Sequence, residues 1–171
     1  TAGVEKVFLD AAEAAHTHPR AVRKIGEPSP VPEALTARFR VAARPESPCG
    51  HVVVDVRGVH GDYTAVAFRG PAYQAPNIAT AVCAAEAALG RALDADAVRG
   101  ALAALAVPGR FECVREEPAV VIDVAHNPDG AAALAGAIAQ AWPDPAVRPT
   151  LLLGVLADKD ARGIVEALAP V

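Results

Sequence analysis

Apolar positions recur with a helical period at the start of the chain and with a strand period after it. Apolar residues spaced three to four apart in 4–16 predict a helix with one apolar face. The proline-rich stretch 27–32 ends this pattern, because proline cannot continue a helix. Strands are then predicted at 35–43, 51–57 and 63–68, the last two joined by a glycine-flanked turn. The first third is therefore predicted to be a helix followed by a mainly antiparallel β region.

Two helices follow, and then the pattern changes. Residues 77–90 and 94–105 have the apolar spacing and the flanking residues of helices. The segment 107–110, Val-Pro-Gly-Arg, interrupts that spacing. We therefore place a domain boundary there, which divides the chain into domains 1–107 and 108–171.

The C-terminal part has the alternation of an α/β protein. Short strands are predicted at 111–115 and 119–123, and helices at 129–141 and 160–168. Between the helices, 150–156 is apolar throughout, which is typical of a strand buried on both faces of a parallel sheet. Units of this kind predict an open α/β sheet with right-handed crossovers. Ligands of such sheets bind where the strands end, and the polar residues of this part follow its strands.

Composition and charge exclude several classes of protein. The 171 residues are 53% apolar and 21% charged, which argues against disorder, and a net charge of −4 argues against nucleic-acid binding. No transmembrane run or signal peptide is visible, so no membrane partner is expected. The three cysteines, an odd number without zinc-ligand spacing, argue against a disulfide framework and favour a reducing, cytoplasmic compartment, and no metal site is expected. Since the sequence contains no methionine, not even at position 1, we expect that it starts inside a longer protein or has been trimmed.

Two clusters near the boundary could carry chemistry, and each has a local alternative. Arg110 follows a Pro-Gly turn, where its planar guanidinium suits phosphate oxygens, or it is a solvated side chain paired with Glu112. Asp123 ends a strand and could meet a ribose hydroxyl or a phosphate. His126 could donate to a phosphate or act as a general acid or base. The local alternative is a turn in which Asp129 caps the next helix.

Two further clusters are weaker on their own. Lys159 lies between two acids and could bind a substrate carboxylate, or it belongs to a helix start capped by Asp158 or Asp160. Gln74 and Asn77 could recognise an adenine edge, or Asn77 is simply a helix N-cap. The sequence contains no G-x-x-x-x-G-K-[ST] and no G-x-G-x-x-G, so neither a P-loop nor a dinucleotide-binding loop is present in it.

Together and in this order, the four clusters resemble the folylpolyglutamate synthase/dihydrofolate synthase family of the Mur ligase superfamily. The family pattern is His-Gln-x-x-Asn, Pro-Gly-Arg-[Phe/Leu]-Glu, Asp-x-Ala-His-Asn-Pro and a Gly-Val-Leu segment with Asp-Lys-Asp. The corresponding segments of this chain are 73–77, 108–112, 123–128 and 154–160. Tyr73 stands in place of the usual His, and Pro76 is unusual directly before Asn77. The resemblance extends from about Gly50 to Val171, and residues 1–49 match poorly.

The resemblance implies an architecture and a set of roles. Residues 1–107 would be the C-terminal part of a central ATP-binding domain, and 108–171 the first part of a Rossmann-like C-terminal domain. The catalytic candidates are Arg110 and His126. The roles that the resemblance implies are adenine contact for Asn77, ribose contact for Asp123, phosphate contact for Arg110 and His126, and contact with the incoming amino acid for Lys159.

The resemblance also implies a reaction. The family activates a dihydropteroate or folate carboxylate with ATP as an acyl phosphate, which the amine of glutamate attacks. The P-loop and the Mg²⁺ ligands of the family have no counterpart in this sequence, so we expect the chain to be an inactive fragment of a cytoplasmic ligase. The alternative is a non-catalytic nucleotide-binding or interaction module derived from a Mur ligase, and a weaker one is a ligase acting on peptidoglycan precursors. The sequence sets no oligomeric state.

Overall fold

A computed structural model describes residues 2–144 and 146–171 of the chain. Short 3₁₀ turns lie at Glu33–Leu35 and Ala72–Gln74. The helices and strands are α1 (Ala2–Ala14), β1 (Ala21–Lys24), β2 (Thr36–Ala43), β3 (His51–Arg57), β4 (Asp62–Arg69), α2 (Ala75–Leu89), α3 (Ala95–Ala104), β5 (Glu112–Glu116), β6 (Ala119–Ile122), α4 (Pro128–Ala141) and α5 (Ala161–Leu168).

The chain divides into two compact units. The first unit comprises Thr1–Ala42, Val54–Val66 and Ala75–Leu102. The second unit comprises Ala43–Val53, Ala67–Gln74 and Ala103–Val171. The assignment of 1–107 and 108–171 to two ligase domains stays a prediction.

Four strands form one sheet in the order β1-β2-β3-β4. The predicted strands at 35–43, 51–57 and 63–68 are confirmed within one residue. Strand β1 is a strand that the sequence did not predict, and it pairs parallel to β2, with Ala21 opposite Thr36 and Lys24 opposite Phe39. Its four residues, Ala-Val-Arg-Lys, are too short to show a period, so only its pairing with β2 identifies it as a strand.

Glu86 on α2 is a fully buried carboxylate in the first unit, with 0% of its surface exposed. Its Oε2 accepts hydrogen bonds from Val59 N at 2.7 Å and His60 N at 3.2 Å, and its Oε1 accepts one from Tyr63 Oη at 2.8 Å. The three donors satisfy a charge that would otherwise be costly to bury. A Cβ at Gly58 would overlap the carboxylate, so only glycine lets the β3–β4 turn approach it this closely.

The helix ends of the first unit follow the predicted signals with one exception. Asp94 caps α3 by accepting a hydrogen bond from Ala97 N at 2.7 Å, as predicted. Gly90 follows α2 with a φ of +65°, which favours glycine. The prediction that Asn77 is an N-cap is wrong, because α2 begins at Ala75 and Asn77 lies in its first turn.

In the second unit, β5 and β6 form an antiparallel hairpin, and α4 contacts α5. Glu112 lies opposite Ile122, and a bulge falls between Cys113 and Arg115. The core of this unit is a cluster of buried apolar side chains contributed by the residue before β5 and by both helices. Its members are Phe111, Ala131, Ala137, Ile138, Ile164 and Leu168.

The predicted strand at 150–156 is wrong. These residues have no regular secondary structure, and Leu152 is fully exposed. A buried strand needs a hydrogen-bonded neighbour on each side, whereas the strands described in the second unit, β5 and β6, pair with each other. The apolar run therefore lies open to solvent.

The argument from the cysteine count against disulfides is also wrong, because the structure joins Cys49 and Cys113 in a disulfide. Their Cα atoms are 5.1 Å apart although 64 positions separate them in the sequence. Cys83 remains a free, buried thiol. An odd number of cysteines excludes complete pairing but leaves room for one pair, which the fold brings together.

None of the helices in residues 2–144 and 146–171 has the length and apolar character needed to cross a bilayer.

Candidate functional site

The Pro-Gly-Arg turn before β5 is fixed by its own backbone. Gly109 is buried with a φ of +67°, and a Cβ there would lie 2.7 Å from Cγ1 of Val124. Its carbonyl accepts a hydrogen bond from Val124 N at 2.9 Å, and its N–H donates to Glu112 Oε2 at 2.8 Å. Position 109 thus requires glycine, because both the conformation and the space exclude a side chain.

Arg110 follows on this turn with an exposed side chain. The local alternative, an ion pair with Glu112, is not present: Glu112 accepts its hydrogen bond from Gly109 instead. No ion pair of Arg110 occurs among the residues that the structure describes. Arg110 therefore places an exposed positive charge on a turn whose backbone is held by hydrogen bonds.

Asp123 is the centre of the hydrogen bonding around this turn. Its Oδ2 accepts from Phe111 N at 2.8 Å and from Tyr73 Oη at 3.0 Å, and its Oδ1 accepts from Ala125 N at 2.7 Å. Phe111 has a φ of +52°, a left-handed conformation that is uncommon for a bulky side chain. That conformation accompanies a buried ring and an N–H held by the Asp123 carboxylate.

Tyr73 is a hydrogen-bond donor at neutral pH. Burial raises the pKa of its hydroxyl well above the ordinary value, and the negative charge of Asp123 adds to the shift. The guanidinium of Arg110 acts in the opposite direction. A protonated phenol beside an ionised carboxylate makes a charge-assisted hydrogen bond.

His126 lies three residues beyond Asp123 with an exposed ring. Its Nδ1 is 3.0 Å from Val124 O, and because a carbonyl only accepts, Nδ1 is the donor. Nε2 then carries a proton only in the imidazolium form, so His126 donates to an anion through Nε2 when it is charged.

Of the two helix starts near these residues, one has an unexpected cap and the other has a predicted one. Asn127 caps α4 by accepting from Gly130 N at 2.7 Å, so the predicted cap Asp129 is wrong. Asp160 caps α5 by accepting from Gly163 N at 2.9 Å, which confirms one of the two predicted acids. Lys159 is not part of either cap, and its Nζ lies 3.0 Å from Asp158 Oδ2.

Three of the predicted site residues line one cavity of about 280 Å³ in the second unit. One wall is formed by 123–126, which includes Asp123 and His126, and the other by 152–156 together with Lys159. Arg110 is outside this lining and is linked to it through the hydrogen bond between Phe111 and Asp123. Asn77 belongs to the first unit.

The lining is suited to a ligand that carries both hydroxyl groups and an anionic group. The Asp123 carboxylate accepts hydrogen bonds from hydroxyls, whereas the Lys159 ammonium and a charged His126 attract an anion. Two contributors were missed from the sequence. The sequence marks Tyr73 only as a departure from a motif, and the apolar character of 152–156 predicts burial in a sheet rather than a place in a cavity wall.

Comparison with known proteins identifies the segment that holds this cavity. Residues 109–171 match the family model described as Mur ligase, glutamate ligase domain. The dihydrofolate synthase/folylpolyglutamate synthase of Mycobacterium tuberculosis is 41% identical over 128 residues, which are 71% of this chain and 26% of that protein. The protein of the same name from Escherichia coli is 40% identical over 101 residues, 59% of this chain and 23% of that protein.

The solved structures agree. Crystal structures of Mycobacterium tuberculosis folylpolyglutamate synthase complexed with ADP and AMPPCP match 98% of this chain and 35% of that chain, with 36% identity and a TM-score of 0.74. The α/β fold class predicted from the sequence is thereby confirmed. The chain spans about a quarter of the length of the curated relatives it matches. Over the segments that match, it belongs to the folylpolyglutamate synthase/dihydrofolate synthase family of the Mur ligase superfamily.

Proposed function

We propose that this chain is the nucleotide- and amino-acid-facing part of an ATP-dependent ligase that adds glutamate to dihydropteroate or folates. The observation that carries the proposal is the cavity lined by Asp123, His126 and Lys159, within the segment that matches the glutamate ligase domain. The names of the relatives give the reaction class, and the relative from Mycobacterium tuberculosis has been solved with ADP and AMPPCP.

Each candidate residue has a role that its chemistry supports. Asp123 accepts hydrogen bonds from the ribose hydroxyls, and Asn77 contacts the adenine through its amide. Arg110 and His126 contact the phosphates, the first through a planar guanidinium and the second through Nε2–H of the imidazolium. Lys159 binds a carboxylate of the incoming glutamate, and in doing so exchanges its ion pair with Asp158 for one with the substrate.

In the proposed reaction, bound ATP supplies the phosphoryl group that activates the carboxylate of the folate or dihydropteroate. Arg110 stabilises the negative charge on the group being transferred, which is the main contribution a protein makes to phosphoryl transfer. Lys159 holds glutamate so that its amine can attack the activated carbonyl carbon and displace phosphate. Mg²⁺ has no set of three acidic, His or Cys ligands among residues 2–144 and 146–171. We propose that its ligands come from parts of such ligases that this sequence does not include.

The binding half of the proposal is tested by titrating ADP into the ¹⁵N-labelled chain and following its backbone amide resonances. We expect the largest shifts at 123–126 and 152–159. Asp123→Asn should weaken binding by about tenfold, because a hydrogen bond to a charged group is removed. The matched control is Asp129→Asn, which neutralises an exposed acid on the first turn of α4 and should bind as the native chain does. Uniform small shifts, or equal loss in both variants, would contradict the assignment.

The catalytic half is tested by turnover. The 171-residue chain should release no phosphate from ATP in the presence of glutamate and folate, because its sequence contains no P-loop pattern to hold the triphosphate. Robust glutamate-dependent phosphate release by this chain would show that the division of roles is wrong. The alternative of a non-catalytic module would be favoured if a natural protein that contains this segment also lacked a P-loop.

A further inference from the structure

Tyr73 connects the core of the second unit to the wall of the cavity. It lies on the 3₁₀ turn Ala72–Gln74, which contacts α4, and its ring packs against the buried apolar cluster that includes Phe111 and Ile138. Its hydroxyl reaches out of this packing to Asp123 Oδ2 at 3.0 Å. A rigid ring with one polar end thus contacts the cavity-lining carboxylate from behind.

The hydrogen bonds to Asp123 fix the orientation of its carboxylate. Two donors, Tyr73 Oη and Phe111 N, meet on Oδ2, and Ala125 N binds Oδ1. A carboxylate has about four acceptor positions, and these donors occupy three of them. Two of the donors are backbone N–H groups, which a side-chain substitution does not remove. Tyr73 is the one side-chain donor among the three, and therefore the one that sequence change can adjust.

We propose that Tyr73 is a positioning residue, whose hydroxyl holds the Asp123 carboxylate in the orientation that accepts hydrogen bonds from the ribose hydroxyls of the bound nucleotide. This inference rests on the proposed function, because it assumes that a nucleotide ribose meets Asp123. The hydroxyl itself lies behind the carboxylate, so Tyr73 acts through Asp123 and does not contact the ligand. Removing the hydroxyl should leave the cavity intact and loosen only the carboxylate.

The test compares ADP with 2′,3′-dideoxy-ADP, which lacks the ribose hydroxyls. The native chain should bind ADP more tightly than the dideoxy compound. Tyr73→Phe, which keeps the ring in the core, should weaken ADP binding by about fivefold to tenfold and leave dideoxy-ADP binding unchanged. Asp123→Asn should remove the difference between the two nucleotides. Tyr63→Phe, which removes the hydroxyl that contacts Glu86 in the first unit, is the matched control and should keep the discrimination.

A second measurement tests the contact without any nucleotide. In a Tyr63→Phe background Tyr73 is the only tyrosine, so the absorbance of tyrosinate reports its ionisation alone. Adding Asp123→Asn should move that ionisation to lower pH, because the negative charge that disfavours the phenolate is gone.

The outcomes separate the two proposals. If ADP does not bind but the ionisation of Tyr73 moves as expected, the proposed function fails and the Tyr73–Asp123 contact stands without a ribose to act on, which overturns the positioning role. If ADP binding depends on Asp123 and Tyr73→Phe weakens both nucleotides equally or neither, the function stands and the positioning role is overturned. Selective loss of ribose discrimination in Tyr73→Phe supports both.

Discussion

Two carboxylates, one in each unit, are held by the same kind of donors. Glu86 accepts hydrogen bonds from the hydroxyl of Tyr63 and from two backbone N–H groups. Asp123 accepts from the hydroxyl of Tyr73 and likewise from two backbone N–H groups. Their hydrogen bonding alone would not distinguish a structural group from a functional one.

Their exposure does distinguish them. Glu86 is fully buried, and a glycine backbone closes over it. Asp123 is half-buried, and the same residue lines a cavity. A buried carboxylate with three donors can only hold the fold together, whereas a carboxylate fixed from behind and open in front can also bind a ligand. Exposure on one side is therefore the property on which the proposed role of Asp123 depends.

The largest expected effect on stability is at Glu86. Glu86→Ala leaves two backbone N–H groups and the Tyr63 hydroxyl without their acceptor, and should lower the free energy of unfolding by about 3–5 kcal/mol. Urea denaturation measures the change. The control is Glu13→Ala, an exposed glutamate on α1, which should change stability by no more than about 0.5 kcal/mol. A loss below about 1 kcal/mol at Glu86 would remove the contrast with Asp123.

The second effect concerns the covalent link found in the second unit. The Cys49–Cys113 disulfide joins two residues that are 64 positions apart in the sequence. Its reduction should lower the free energy of unfolding by about 2–4 kcal/mol. Denaturation with and without dithiothreitol measures it. Cys113→Ser should abolish the response to the reductant, whereas Cys83→Ala, at the buried free thiol, should retain it. A native chain insensitive to reduction would mean that the link does not stabilise this unit.

The smallest effect on stability is expected at Arg110, although its effect on turnover should be large. Its exposed side chain makes no ion pair in the described residues, so Arg110→Ala should change the free energy of unfolding by no more than about 0.5 kcal/mol. In a ligase that contains this segment, kcat should fall about a hundredfold or more, because charge on the transferred phosphoryl group loses its partner. Melting temperature and kcat are measured on the same sample. Normal turnover, or failure to fold, would refute the phosphate role.

The sequence predicted what depends on local signals. Asp94 and Asp160 cap helices because a short acid directly before a helix can accept a hydrogen bond from the free N–H groups of its first turn. Strand β3 alternates between buried and exposed side chains, as its period requires. The features that were missed, the strand β1 and the pair Cys49–Cys113, depend on partners elsewhere in the fold, which no local pattern records.

The candidate site could also be predicted only in part, because some of its residues are neighbours in the sequence and others are brought together by the fold. Asp123 and His126 follow one strand within four residues, so a motif could place them together. Lys159 is distant from them in the sequence and lines the same cavity only because the fold brings the two segments together. Tyr73 and Asp123 are in contact although 50 positions separate them in the sequence. The sequence offers one indication that position 73 is unusual, which is a tyrosine where the family pattern has histidine.

The exposed apolar residues of 151–156 favour association between molecules in a concentrated solution. Leu151, Leu152, Leu153 and Leu156 are all exposed in a run without regular pairing, and such apolar runs are templates for β-pairing between molecules. A net charge of −4 supplies the opposing repulsion, which salt screens within about 10 Å at an ionic strength of 0.1 M. Added salt therefore weakens the repulsion between molecules and leaves the apolar attraction in place. The colloidal stability of a concentrated sample thus depends on the ionic strength of its buffer as well as on the fold.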